Sequence, residues 1–149
     1  MGFSPEHGSA EGAVIYSIAR TYSVLIRDLE RVYARFGLSA PSFNLLMLLQ
    51  HGEDPEACTQ TAIASRLVVS ASDMTGLVDR LEKRGLVKRT PGKDRRSKLL
   101  RITPAGEKLL EEMWSHHSDA VKRVTQRLTA QQAERLVQAL NTLRETQTV

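Results

Sequence analysis

Residues 58–103 read CTQTAIASRLVVSASDMTGLVDRLEKRGLVKRTPGKDRRSKLLRIT, and the fold follows from how this stretch divides. Thr59 and Ser70 stand where helix N-cap hydroxyls are wanted, and Ser70-x-x-Asp73 has the spacing of a capping box, which satisfies backbone N–H groups left free in a first turn. Two helix starts this close leave room only for a tight connection. In the first helix Ile63, Ala64 and Leu67 share a face. In the second, Met74, Leu77, Val78 and Leu81 fall at i, i+3, i+4 and i+7, the apolar stripe of a helix docked on a core. Gly85 ends that helix, as a residue tolerant of the left-handed conformation does.

After Gly85 the period changes from helical to extended. Residues 86–90 and 98–102 are short aliphatic or β-branched runs that bracket the turn signal Pro91-Gly92, and they read as a hairpin whose tip is Lys93-Asp94-Arg95-Arg96. Between Arg80 and Arg101 there are ten Lys/Arg against two acids, a local charge of +8 in a chain whose net charge is +4. The rest of the chain is therefore acidic on balance, and the positive charge is concentrated where a groove-entering helix and a wing would meet a polyanion. The outer face of the second helix carries Ser72, Asp73, Thr75, Gly76, Asp79, Arg80 and Lys83, the kinds of group that read base edges and hold phosphates. Helix, turn, helix and hairpin in this order make a winged helix-turn-helix.

The residues GLVKRTPGKDRRSKLLRITPAG, 85–106, resemble the signature of MarR-type transcriptional regulators: Asp94-Arg95-Arg96-Ser97 in the wing, then Ile102-Thr103 and Gly106. SASDMTGLVDRLEKRGLV, 70–87, is similar to that family's recognition helix. The resemblance implies that Arg96 enters a minor groove and that Asp94 orients the wing. It also implies an obligate homodimer with interlocked terminal helices, in which small aromatic acids or phenols often bind between the DNA-binding lobe and the dimerisation helices. Gly76 falls where many relatives carry a long polar side chain, a departure from the family pattern.

The flanking sequence agrees with this layout. Residues 1–10 lack periodicity and form a lead-in. Over 11–37, Ile18, Tyr22, Leu25, Leu29, Val32 and Phe36 repeat at steps of four and three, a heptad seam. The winged helix-turn-helix domain then takes 38–103, opening on a helix with Ser39 as its cap and Pro41 in its first turn. Thr103-Pro104 starts a helix expected to reach about Leu128, with Leu110, Trp114, His117, Val121 and Val124 as a second seam. Thr129-x-x-Gln132 boxes a last helix bearing Leu136, Leu140 and Leu143. The expected fold is mainly α with a small β-hairpin wing, flanked by dimerisation helices over 11–37 and 104–149. Two recognition helices of a dimer would meet successive major grooves about 34 Å apart, which calls for a palindromic operator in double-stranded DNA.

The DNA-binding set is Ser70, Ser72, Asp73, Thr75, Gly76, Arg80, Lys83, Lys93, Asp94, Arg95, Arg96 and Lys98. Ser70 and Asp73 serve equally as capping groups, and Arg80 and Lys83 as solvated helix charges. Tyr16, Arg20, Tyr22, His51, Trp114 and His117 are candidates for an effector pocket, with core aromatics and an interface histidine as the competing reading. Cys58, the one cysteine, reads as a small buried filler and permits no internal disulfide. His116 and His117 are adjacent and point about 100° apart on a helix, a poor chelating pair, so no metal or other cofactor is expected. The sequence has no phosphate-cradling glycine loop, His-Glu-x-x-His, Cys-x-x-Cys or Gly-x-Ser-x-Gly, and an enzyme is not expected. No apolar run approaches the roughly 18 residues that span a bilayer, no signal-peptide or myristoylation pattern follows Met1, and a reducing cytoplasm is expected. The reading is a repressor released by an effector; the rivals are a sequence-tolerant architectural DNA-binding protein and a module for another protein's acidic surface.

Overall fold

The helix boundaries lie where the sequence places hydroxyls and glycines. The computed structural model describes residues 10–52, 58–67, 69–92 and 98–145. Among them the order is α1 (Ala10–Arg35), α2 (Ala40–His51), α3 (Gln60–Leu67), α4 (Ala71–Lys83), β1 (Val87–Pro91), β2 (Lys98–Ile102), α5 (Pro104–Thr125) and α6 (Ala130–Glu145). Thr59 Oγ1 accepts from Ala62 N at 3.2 Å and Ser70 Oγ from Asp73 N at 3.1 Å, capping α3 and α4. At α6 the box is reciprocal: Thr129 Oγ1 accepts from Gln132 N at 3.2 Å and Gln132 Oε1 from Thr129 N at 2.9 Å. Gly37 and Gly85 take φ of +67° and +70° after α1 and α4. Beyond each glycine a buried leucine N–H reaches back, Leu38 to Tyr33 O at 2.9 Å and Leu86 to Leu81 O at 3.0 Å, closing the helix end.

The core forms around α4. Met74, Leu77, Val78 and Leu81 are at most 3% exposed and pack with Phe43, Leu45, Leu46, Ile63 and Leu100. β1 and β2 pair antiparallel from Val87↔Ile102 to Pro91↔Lys98. A third backbone segment joins the β2 edge, where Leu100 N donates to Cys58 O at 2.8 Å. Cys58 is buried there, as a filler should be.

Two helix faces differ from the expected seams. On α5 the buried residues are Gly106, Leu110, Met113 and Ala120, while Trp114 is 48% exposed and the helix stops at Thr125. Leu110-Met113-His117-Ala120 satisfies the 3.6-residue period as well as Leu110-Trp114-His117-Val121 does, so spacing alone could not choose between faces one residue apart. On α1 the seam divides: Val32 is buried, whereas Ile18 and Tyr22 are 40% and 63% exposed. Among the described residues, the buried side chains of α1 are in its C-terminal part, Val32 and Tyr33. No residue of α6 is buried.

At the junction of α1, α2 and α5, Tyr33 stacks on Phe43 with centroids 4.4 Å apart, and His117 lies 4.7 Å from Phe43. The Tyr33 hydroxyl and His117 Nδ1 are 3.2 Å apart. Burial pushes the Tyr33 pKa up to about 12 and draws His117 below its ordinary value.

Two consequences can be measured. A Cβ at Gly106 would lie 2.4 Å from Leu86 O and 2.7 Å from Ile102 Cγ1. In a free helix Gly→Ala gains roughly 1 kcal/mol, but here the backbone itself must move, so Gly106→Ala is expected to lower stability by about 2–3 kcal/mol in urea unfolding. Because His117 binds protons less readily folded than unfolded, its contribution is complete above its ordinary pKa of 6.5 and falls as the pH drops through it. His117→Phe should therefore flatten the decline of Tm between about pH 7 and pH 5; an unchanged slope would contradict the assignment.

Candidate nucleic-acid interface

Burying Met74, Leu77, Val78 and Leu81 leaves the opposite face of α4 in solvent. Ser70, Ser72, Asp73, Thr75, Arg80 and Lys83 are all exposed and follow one another along that face. Several of them are already engaged. Ser70 Oγ, which caps α4, donates to Asp73 Oδ2 at 2.5 Å and lies 2.9 Å from Ser72 Oγ. Thr75 Oγ1 donates to Ala71 O at 3.0 Å and accepts from Gln60 Nε2 of α3 at 2.8 Å. This bond bridges the two helices of the motif across their outer surface.

Gly76 is half-buried, and a Cβ there would meet Arg80 Nη1 at 3.3 Å. The Arg80 guanidinium thus lies back over the glycine, and a long polar group occupies this turn although the residue at 76 supplies none. Lys98 is exposed at the start of β2. Lys93, Asp94, Arg95 and Arg96 lie outside the described residues.

The positive stretch is less uniform than its formal charge. Arg89 on β1 donates through Nη2 to Asp79 Oδ1 at 2.7 Å and through Nη1 to Glu82 Oε2, and its backbone N donates to Glu82 Oε1 at 3.2 Å. The hydrogen bond with Asp79 leads the influences that raise the Arg89 pKa. This clamp fixes the wing's first strand to α4, and it takes Asp79 out of the set available to read bases. Arg84 donates to Gly37 O at 2.5 Å and Phe36 O at 2.9 Å, placing a cation at the C-terminal end of α1 where helix carbonyls are unpaired. Arg84, though exposed, and half-buried Arg89 therefore hold elements together. Gln60, Arg84 and Arg89 were not singled out from sequence. The one signal for Arg89 was a pair of acids at Asp79 and Glu82, three apart on one helix ahead of a basic strand.

The six candidate pocket residues do not converge within one chain. His51 and Trp114 line a cleft of about 310 Å³ between α2 and α5, with Met47, Gln50, Glu107, Leu110 and Glu111. His117 faces Tyr33 and Phe43, 5.4 Å from the Trp114 ring. Tyr16, Arg20 and Tyr22 lie on the exposed N-terminal half of α1, with Arg20 Nη1 3.4 Å from Tyr16 Oη and Tyr22 in a separate groove beside Leu136 and Leu140 of α6. Tyr16, Arg20 and Tyr22 precede the residues of α1 that pack against the core, Ile26, Leu29, Val32 and Tyr33.

A family model described as the MarR family matches residues 36–97. The chain is 31% identical over 105 residues to the HTH-type transcriptional regulator PecS of Dickeya dadantii (strain 3937), covering 70% of this chain and 63% of PecS. It is 30% identical over 118 residues to the HTH-type transcriptional repressor YetL of Bacillus subtilis (strain 168), covering 78% of this chain and 70% of YetL. Among solved structures it is similar to Sco3205, a MarR family transcriptional regulator from Streptomyces coelicolor in complex with DNA. The TM-score is 0.83 at 26% identity, over 99% of this chain and 94% of that one. With a two-helix motif, a clamped wing and this likeness over nearly the whole chain, the protein belongs to the MarR family of transcriptional regulators.

Proposed function

We propose that this chain is a homodimeric repressor that binds a palindromic operator in double-stranded DNA and lets go when a small aromatic or phenolic effector binds. The observation that carries the reading is α4 itself: one face is sealed in the core and the other presents Ser72, Thr75, Arg80 and Lys83 to solvent. The first two turns of such a helix enter the major groove in helix-turn-helix proteins, and Arg80 and Lys83 near its end are placed for phosphate. Lys98 and the basic residues Lys93, Arg95 and Arg96 of the wing would extend the contact, with Arg96 in the minor groove and Asp94 orienting it. Sco3205, similar over nearly all of this chain, is known in complex with DNA, and YetL is named a repressor. A varied polar reading face favours sequence specificity over architectural coating.

A partner copy would cover what one chain leaves bare. Ile18, Tyr22, Leu136, Val137 and Leu143 are 40–63% exposed, and a groove of about 500 Å³ runs between α1 and α6. Apolar surface of this extent on two helices is characteristic of an interface. In this reading the terminal helices form the dimerisation region and residues 38–103 the DNA-binding domain. The cleft holding His51 and Trp114 is the part of the predicted pocket best placed for an effector, because α2 and α5 connect the winged motif to the terminal helices. An effector that weakens specific binding by a few kcal/mol is enough to empty an operator.

Selection from a random duplex pool tests this reading. An enriched inverted repeat is expected, preferred over random duplex by on the order of 10³ or more. Arg80→Ala and Lys83→Ala should each weaken binding and lower the slope of log K against log salt by about one, and Arg96→Ala should weaken it further. At least one member of a panel of aromatic carboxylates and phenols should raise Tm and release the operator. Strong salt-dependent binding with no enriched sequence would support the architectural protein instead.

A further inference from the structure

We infer that Thr75 reads the 5-methyl group of a thymine through its own methyl, with Gln60 acting as the positioning residue that holds it in that pose. The inference rests on α4 entering a major groove as proposed above. A threonine hydroxyl has one hydrogen to donate and two lone pairs to accept with. In Thr75 the hydrogen is committed to Ala71 O, 3.0 Å away and one turn back along the helix. One lone pair is taken by Gln60 Nε2 at 2.8 Å, a bond that arrives from α3. The oxygen is therefore drawn into the trough between α3 and α4, which Gln60, Thr61, Ala64, Ala71, Met74 and Thr75 line.

Thr75 is nevertheless exposed. With the hydrogen and one lone pair of the hydroxyl committed to α4 and α3, Cγ2 is the apolar group left to meet a ligand. The acceptors of the major groove, such as guanine N7 and O6, would find no free donor on Thr75, because that donor already serves the helix. Thymine is the base that offers an apolar group there, its C5 methyl, and apolar contact with a threonine methyl is an established way of reading it. Ser72, one turn nearer the N-terminus of the same exposed face, has no methyl, and its hydroxyl hydrogen goes to Ser70 Oγ at 2.9 Å, because the hydrogen of Ser70 serves Asp73 Oδ2. Of the two, only Thr75 carries a methyl to offer a base. Gln60 makes the pose persistent, since an unbridged threonine on a helix surface can exchange its hydroxyl and methyl by a turn about χ1.

Deoxyuridine pairs as thymine does but lacks the methyl, so it isolates this contact. The operator recovered by selection is synthesised with each thymine in turn replaced by deoxyuridine, and binding is measured for the wild type, Thr75→Ser and Thr75→Val. Serine keeps the hydroxyl and loses the methyl; valine does the reverse. At one thymine per half-site the replacement should weaken wild-type binding about fourfold, the worth of one buried methyl group. Thr75→Val should retain that ratio and Thr75→Ser should lose it. Because each variant is compared with itself on paired duplexes, a general loss of affinity cancels. If Thr75→Ser keeps the ratio, or if no thymine is sensitive in the wild type, the inference is overturned while the regulator reading stands. If selection yields no operator at all, both fall together.

Discussion

The rest of the structure depends on burying one stripe of one helix. Met74, Leu77, Val78 and Leu81 are the inner side of α4, and their removal from water against Phe43, Leu46, Ile63 and Leu100 ties together α2, α3, α4 and the hairpin. Burying side chains of this size stabilises by roughly 1.5–3 kcal/mol each, far more than any surface ion pair in the molecule. Once that stripe is inward, the direction of every polar residue on α4 is fixed. The exposed polar face of α4 is thus a consequence of the core.

Polar contacts then set the neighbours at their angles. Arg89 ties β1 to α4 through Asp79 and Glu82. Arg84 ties the end of α4 to the last carbonyls of α1, and Thr103 Oγ1 donates to Gly85 O at 2.6 Å at the start of α5. The left-handed glycine that ends α4 therefore touches the helix leaving the wing, while the arginine beside it touches the helix that enters the motif. Direct hydrogen bonds therefore join the end of α4 to the end of α1 and to the residue that caps α5. Arg84 and Arg89, counted in the basic stretch, thus serve as ties between elements.

Much of this was legible in the sequence because local chemistry decides it. Ser39, Thr59, Ser70, Thr103 and Thr129 each begin a helix where a hydroxyl precedes an apolar period, and Gly37 and Gly85 each end one. What could not be read falls into two physical kinds. The α5 face depended on which neighbour it met: Met113 and Trp114 are adjacent, and periodicity permits either to turn inward. Side-chain partnerships such as Gln60 with Thr75, or Arg89 with Asp79, depend on tertiary distance, which residue type and spacing do not contain. The same holds for the predicted pocket, whose residues shared chemistry but not location, with Tyr16 and Tyr22 far along α1 from His51 and Trp114. The tip of the wing, Lys93 to Arg96, lies outside the described residues, and its part in binding is carried by the resemblance at Asp94-Arg95-Arg96-Ser97.

The central claim is that two copies of α4 read one operator together, at a separation that the dimer fixes. The most direct test is binding to the selected inverted repeat with five base pairs inserted at its centre, half a helical turn. A rigidly spaced pair can then place only one α4 in a major groove on the same side of the duplex. The account predicts that affinity falls toward the level of a single half-site and that a full-turn insertion fails to restore it. Equal affinity for the original and the half-turn duplex would contradict it.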